Sequence, residues 1–174
     1  MALGDTVFTA KQYRKAVHAY QQVVRQAPNT EEAAYCLMQS GRCHNQLRDY
    51  QKALSCYRQF LDAYKSSAWA DDALIRAGVI YVGPLNQKQA GAKLYETILE
   101  RYPDGNQADQ ALVHLATLAA WERNWEKSFQ LYEQLLQRYP QSRFVRVARE
   151  VQIPTLEKAL GRTVRQVTRT GGEK

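Results

Sequence analysis

The residues of this 174-residue chain that could hold a metal ion lie close together in the sequence. Cys36, Cys43 and His44 fall within nine residues of one another, and Cys56 follows. A structural zinc ion needs four converging ligands, and the chain has no Cys-x-x-Cys or His-x-x-x-His pair. We therefore predict no metal site. With an odd number of cysteines at least one thiol cannot pair within the chain, and we expect free, buried thiols, whose redox state the sequence leaves open.

Acidic pairs are the other candidates for chemistry. Glu31-Glu32 and Asp71-Asp72 are predicted to lie at helix starts, where carboxylates interact favourably with the helix dipole. The sequence has neither a glycine-rich phosphate loop nor a nucleophile elbow. An enzyme would need a pocket with converging polar groups, which this pattern does not predict. We therefore expect a protein that is not an enzyme and that uses no cofactor.

One sequence motif recurs along the chain and predicts a repeat protein. Tyr-Arg-Lys-Ala-Val-His-Ala-Tyr at 13–20 returns as Tyr-Gln-Lys-Ala-Leu-Ser-Cys-Tyr at 50–57 and as Trp-Glu-Lys-Ser-Phe-Gln-Leu-Tyr at 125–132, with a weaker copy at 89–95. The last tyrosines of the four copies, Tyr20, Tyr57, Tyr95 and Tyr132, lie 37, 38 and 37 residues apart. A fixed period of this size is typical of helical solenoids.

Each repeat is predicted to be a pair of antiparallel helices. Apolar residues in 31–46 and again in 50–61 recur at gaps of three and four, the helical period, with a short turn at 45–49. Pro28, Pro103 and Pro140 mark the ends of repeats, and Asn29 and Asp104 have the spacing of helix N-caps. One hairpin cannot bury both of its faces, so the repeats must stack.

These residues resemble the tetratricopeptide repeat. Gly41 matches its small residue in the first helix, helix A, and Tyr50, Ala53 and Tyr57 match the motif of the second helix, helix B. The resemblance implies an all-α fold, a right-handed superhelix of antiparallel helix pairs with about three and a half repeats and a C-terminal capping helix. We expect residues 1–160 to form this solenoid, with a truncated first repeat, and residues 161–174 to be a basic, disordered tail.

The repeats are longer than the family's usual period of about 34 residues. This length and the Arg-Tyr-Pro junctions at 101–103 and 138–140 are similar to the Tyr-Pro-x-Ser variety of bacterial cell-envelope proteins, such as the Tol-Pal-associated coordinator and the outer-membrane assembly lipoprotein. The resemblance favours a role in envelope biogenesis. No signal peptide or transmembrane segment is visible in this chain, and the sequence leaves both its compartment and any longer parent chain open.

The resemblance also implies a protein-interaction module that binds a peptide or helix of a partner in a concave groove lined by helix A. Carrying the family's groove positions over gives one set of residues in each of three repeats. The second repeat supplies Tyr35, Met38, Arg42, Asn45 and Gln46, the third supplies Asp72, Ile75, Val79 and Val82, and the fourth supplies Gln110, Val113, Thr117, Ala120 and Trp121. Met38, Ile75 and Val113 have core packing as the alternative interpretation.

Two other functions compete with groove binding. The first repeat has no helix covering its outer face, which favours self-assembly or docking to a neighbouring domain, whereas Phe144, Val147, Ala148 and Val151 are predicted to cap the fourth repeat. The net charge of +7 is concentrated at the ends, with about +5 in 141–174, which would suit nucleic acid or an anionic surface. No nucleic-acid motif accompanies these basic residues, so we expect a protein partner instead.

Overall fold

The computed structural model describes residues 2–9 and 11–161, and these residues are helical apart from short connections. The basic tail was predicted to begin at residue 161, and residues 162–174 lie outside the described residues. The chain divides into two compact units, residues 1–98 and 99–174. In chain order the helices are α1 (Ala2–Thr9), α2 (Tyr13–Gln26), α3 (Glu31–Gln46), α4 (Tyr50–Ala63), α5 (Ala70–Val82), α6 (Lys88–Arg101), α7 (Ala108–Trp121), α8 (Trp125–Arg138), α9 (Val145–Val147) and α10 (Ile153–Ala159).

The helices pair as the repeat predicts. In the first unit α1 packs on α2, α3 contacts α2 and α4, and α5 contacts α4, while in the second unit α7 packs on α8. The all-α fold of helical hairpins is therefore confirmed. Odd-numbered helices from α1 to α7 are the A helices, and even-numbered helices from α2 to α8 are the B helices.

In the first three hairpins a glycine in helix A lies against a tyrosine in helix B, and the fourth has Ala116 at the glycine position. Tyr20, Tyr57 and Tyr95 are buried, each at 1% exposure. A Cβ atom built on Gly41 or Gly78 would overlap the ring of Tyr57 or Tyr95, respectively. These tyrosines are therefore structural, and the close approach of their rings requires glycine in the facing helix.

The four hairpin turns each contain a residue with positive φ, which their sequences do not predict. Lys11, Arg48, Asn86 and Arg123 all have positive φ, between 51° and 60°, and they recur with the same period as the tyrosines. The amide of each donates to the carbonyl three residues earlier. A left-handed residue ends helix A and reverses the chain into helix B, a position that glycine usually occupies.

Two predicted helix caps are wrong. The N-cap of α3 is Thr30, whose hydroxyl accepts a hydrogen bond from the Ala33 amide at 3.2 Å, while Asn29 has a φ of 65° and precedes the cap. Helix α7 begins after Gln107, so Asp104 lies too early to cap it. In both cases the loop takes more residues than the spacing of polar side chains indicated.

The C-terminal helix covers the fourth repeat with a face that differs from the predicted one. A π-helical segment, Ala148–Gln152, joins α9 to α10, and Pro154 lies in the first turn of α10. Ala148 and Leu156 are buried against Tyr132 and Leu135. The predicted packing of Val147 and Val151 is wrong: both are about half exposed. The wider π turn shifts the helix phase by about one residue, which moves Val151 off the buried face.

Candidate functional site

The predicted groove residues lie on A helices, and we describe those of each unit separately. In the first unit they come from α3 and α5, and in the second unit from α7. Helical spacing places each set along one face of its helix. We call these surfaces the helix-A faces.

Burial separates the predicted groove residues into two groups. Met38 and Ile75 are 7% and 4% exposed and contribute to the core. Val79 and Trp121 are 44% and 59% exposed. The other members are partly or fully accessible: Tyr35, Arg42, Asn45, Gln46, Asp72, Val82, Gln110, Val113, Thr117 and Ala120. The accessible members offer a partner both apolar surface and polar groups.

A tyrosine network organises the N-terminal end of the first unit's helix-A face. The hydroxyls of Tyr20 and Tyr35 both donate to one carboxylate oxygen of Asp5, at 2.8 and 2.9 Å. Burial raises the pKa of Tyr35, and the hydrogen bond to Asp5 raises it further. Tyr35 therefore stays a neutral donor at physiological pH. Its ring also meets Trp69 edge-on, with centroids 6.1 Å apart.

Arg42 is held in place beside this network. Its guanidinium carbon lies 5.1 Å from the centre of the Phe8 ring, and one of its nitrogens donates to Gln39 at 3.0 Å. These contacts fix a half-buried positive charge on α3. A fixed guanidinium can bind an acidic or carbonyl group of a partner with little loss of side-chain entropy.

Four of these supporting residues were missed from the sequence: Asp5, Phe8, Gln39 and Trp69. Asp5 lies 37 residues before Arg42 and so occupies the same repeat position on α1. Extending the groove positions into the first repeat would have found it. Phe8 lies 37 residues before Asn45, so the same extension would have found it as well. Gln39 and Trp69 match no predicted groove position, and only the packed structure places them beside Arg42 and Tyr35.

In the second unit, α7 presents its own polar and aromatic side chains. Gln110 accepts a hydrogen bond from Arg143 at 3.1 Å, and its side-chain nitrogen lies 3.3 Å from His114. The Thr117 hydroxyl donates back to the Val113 carbonyl, which satisfies it within the helix. Trp121 is the last residue of the helix. The face therefore ends in an exposed indole ring.

The basic residues before the tail are partly engaged by the fold. Besides donating to Gln110, Arg143 stacks on Phe144 with 4.7 Å from its guanidinium carbon to the ring centre. Arg146 pairs with Glu150 at 3.1 Å. The expectation that nucleic acid is not the partner stays a prediction, because residues 162–174 of the basic tail lie outside the described residues.

The cysteines and the other possible metal ligands stay apart within the described residues. All three cysteines are free and buried, and burial raises the pKa of Cys43 and Cys56 to about 11. Across residues 2–9 and 11–161 no cluster of three or more His, Cys, Asp or Glu could hold a metal ion. Within the same ranges, no helix is both long and apolar enough to cross a membrane.

The fold and the helix-A faces define a helical-repeat protein of the kind that generally binds other proteins and is typically not catalytic. Two family models described as "Tetratricopeptide repeat" match it, one over residues 1–78 and one over residues 72–105 and 110–142. The chain belongs to the tetratricopeptide repeat family. The predicted family is thus confirmed.

Solved structures show the same fold at low sequence identity. The chain is similar to MamA, with 20% identity, a TM-score of 0.69 and coverage of 92% of this chain and 80% of the other. It is also similar to a tetratricopeptide repeat protein from Parabacteroides merdae, with 18% identity, a TM-score of 0.72 and coverage of 92% and 58%. It is also similar to PilW, titled a type IV pilus biogenesis factor, with 16% identity, a TM-score of 0.65 and coverage of 92% of this chain and 68% of the other. No curated protein sequence matches the chain significantly.

Proposed function

We propose that this protein is an adaptor whose helix-A faces bind an extended or helical segment of a partner protein. One observation carries the proposal. Four large apolar side chains are exposed within the described residues, and two of them, Val79 and Trp121, occupy predicted groove positions. Tryptophan is among the residue types that most often dominate the binding energy of protein interfaces, and an exposed valine adds apolar area that a partner can bury.

Polar groups beside these anchors would set the register of the bound segment. Arg42 is held by Phe8 and Gln39, and Tyr35 by Asp5 and Trp69. Because the fold already fixes the positions of these side chains, binding costs less free energy for ordering them. The proposed contacts of the first unit therefore combine the Arg42 cation and the Tyr35 ring with the apolar surface of Val79.

Photo-crosslinking tests where the partner binds. We replace Trp121 with a photoreactive phenylalanine derivative, and as a control we place the same group at Gln130, an exposed position on helix B of the same hairpin. The proposal predicts crosslinks to a partner from Trp121 and few from Gln130. Equal crosslinking at both positions would contradict it.

A narrower role in the bacterial cell envelope is also proposed. Its support is the long repeat with Tyr-Pro junctions, together with the fold shared with PilW, a protein titled a pilus biogenesis factor. Fractionation of the source cells tests it, with the intact protein followed by antibody. Recovery with periplasm or membrane supports the envelope role, and recovery only with cytosol contradicts it.

A further inference from the structure

A cleft on the helix-B side of the first unit differs from the rest of the solenoid in its chemistry. It has a volume of about 330 Å³ and lies between α2 and α4, with α3 as its floor. We call it the polar cleft. Ser40, His44 and Cys56 line its interior and Gln21, Arg25 and Lys52 its rim. None of the predicted groove residues lines it.

The floor of the polar cleft carries buried polar atoms that the fold leaves without hydrogen bonds. Ser40 is 1% exposed, and its hydroxyl oxygen has no hydrogen-bond partner. His44 is 7% exposed, and its Nδ1 makes no hydrogen bond but lies 3.6 Å from a carboxylate oxygen of Asp49, with which a protonated ring would form an ion pair. Burying a polar atom without a partner costs stability, so such atoms require an explanation.

The repeat itself shows that the fold does not need these polar residues. One repeat later a cleft of about 300 Å³ lies at the corresponding place, and Ala77, Tyr81 and Leu94 stand where Ser40, His44 and Cys56 stand. In the fourth repeat the positions of Ser40 and His44 hold Leu115 and Ala119, both buried. The same helix packing is thus built with apolar residues at these positions.

The rim gives the polar cleft a positive charge. Arg25 and Lys52 are both exposed, and neither Asp nor Glu is among the residues that line the cleft. Asp49 lies outside the lining, and its carboxylate is 3.9 Å from the Lys52 ammonium, so it offsets part of this charge. A ligand in the cleft would therefore meet the Arg25 guanidinium and the paired Lys52 ammonium at its mouth and neutral polar groups inside.

We propose that the polar cleft binds a small organic acid, whose carboxylate lies between Arg25 and Lys52 and whose second polar group hydrogen-bonds to Ser40 and His44. Its volume lies at the lower end of small-molecule pockets, which suits a compact acid better than a peptide. The Ser40 hydroxyl is covered in this structure, so binding includes a change between staggered rotamers of its side chain. This site is independent of the helix-A faces.

Nuclear magnetic resonance titration of the full chain tests the proposal. The probes are L-malate, succinate, which lacks the hydroxyl group, and the neutral diamide of malic acid. L-malate should shift the amides of Ser40 and His44 in a saturable way. Succinate should bind roughly tenfold more weakly, the effect of losing about 1.4 kcal/mol, and the diamide should cause no shift.

A matched variant copies the floor of the neighbouring cleft. Ser40→Ala, His44→Tyr and Cys56→Leu together should weaken malate binding at least tenfold while keeping the helical circular dichroism and the unfolding temperature of the wild type or raising it. Arg25→Gln/Lys52→Gln should also weaken binding, whereas Arg58→Gln, beside the neighbouring cleft, should leave it unchanged.

Each remaining outcome overturns the proposal. It is wrong if about 10 mM malate, a concentration that detects millimolar affinity, shifts no amide of the cleft. It is also wrong if the floor variant folds and binds malate as the wild type does. If the cleft amides respond to the peptide acetyl-Gly-Glu-Gly-amide and to none of the free acids, the cleft binds a partner's side chain and the small-acid proposal fails.

Discussion

At the scale of single residues, burial decides what each repeated position does. Tyr20, Tyr57 and Tyr95 recur because each ring fills the space beside a glycine, and their period was readable from the sequence. The exposure of the groove residues could not be read from the sequence. Val79 and Ile75 are both aliphatic residues on α5, yet one is 44% exposed and the other 4%. Their difference depends on which neighbouring helix covers each side chain, and that is a property of the packed repeats.

Two histidines make stability depend on pH. Burial lowers the pKa of His44, although Asp49 acts against this shift, and burial also lowers the pKa of His114. Unfolded histidine titrates near 6.5, so the unfolded chain takes up protons that the folded chain resists. The stabilising contribution is complete above this pH and is lost as the pH falls through the folded pKa values.

We therefore expect the thermal unfolding temperature to fall between pH 7 and pH 5. The double variant His44→Gln/His114→Gln should lose less stability over the same interval, because two of the groups that take up protons on unfolding are gone. Calorimetry at several pH values measures this. An equal fall of the unfolding temperature in both proteins would show that other titratable groups cause the loss of stability below pH 7.

At the scale of the helices, the sequence predicted the hairpins well and their ends poorly. The tyrosine and small-residue motif located α2, α4 and α8, because helical periodicity extends over several turns. The ends depend on single backbone conformations. Nothing in Arg48 or Arg123 indicates a left-handed residue, and Asn29 has a cap-forming side chain but adopts a positive φ instead. The π-helical segment before Pro154 shifted the buried face in a way that an α-helical pattern cannot predict.

Gly41→Ala tests the packing inside one hairpin. The added Cβ would overlap the Tyr57 ring, which is itself buried, so either the ring or helix α3 must shift. Overpacking of this kind costs about 1–3 kcal/mol of unfolding free energy, whereas alanine in place of a helical glycine returns up to about 1 kcal/mol, so we expect a net loss of about 1–2 kcal/mol. The control Gln51→Ala, at an exposed position of α4, should change it by less than about 0.5 kcal/mol. Urea denaturation measures both, and a stabilising Gly41→Ala, the effect of helix propensity alone, would contradict the close approach.

Arg123→Gly tests the left-handed hairpin turn. Arg123 has a φ of 59°, a conformation that costs a non-glycine residue about 1–2 kcal/mol. Glycine removes that cost but gives the unfolded chain more freedom, so we expect a net stabilisation of about 0.5–1 kcal/mol. The same replacement at Arg58, an exposed residue inside α4, should destabilise by about 1 kcal/mol. Destabilisation at both sites in urea denaturation would contradict the turn conformation.

At the scale of the whole molecule, the repeat determines the class of function and the differences between repeats determine its specificity. Family, helix pairing and repeat length all follow from a pattern spread over most of the chain. The identity of the partner does not follow from this pattern, because the groove side chains differ from repeat to repeat. They include tyrosine and arginine on α3, aspartate and valine on α5, and glutamine and tryptophan on α7. The net charge of +7 adds a general preference for acidic surfaces.

The most direct test of the adaptor function compares two pairs of exposed apolar residues. Val79 and Trp121 lie on the helix-A faces, whereas Val147 and Val151, with similar exposure, lie on the C-terminal helical segment outside the predicted groove. Affinity capture from nuclease-treated extract of the source cells, with mass spectrometry of the bound proteins, is carried out with the wild type, Val79→Ala/Trp121→Ala and Val147→Ala/Val151→Ala. Circular dichroism first establishes that all three are folded.

If the helix-A faces bind the partner, the wild type and the Val147→Ala/Val151→Ala variant retain a partner protein that the Val79→Ala/Trp121→Ala variant loses. Contradiction would come from capture of the same proteins by all three forms, or from capture of nothing but further copies of this chain. In the second case, the protein would be an assembly element that joins its own copies.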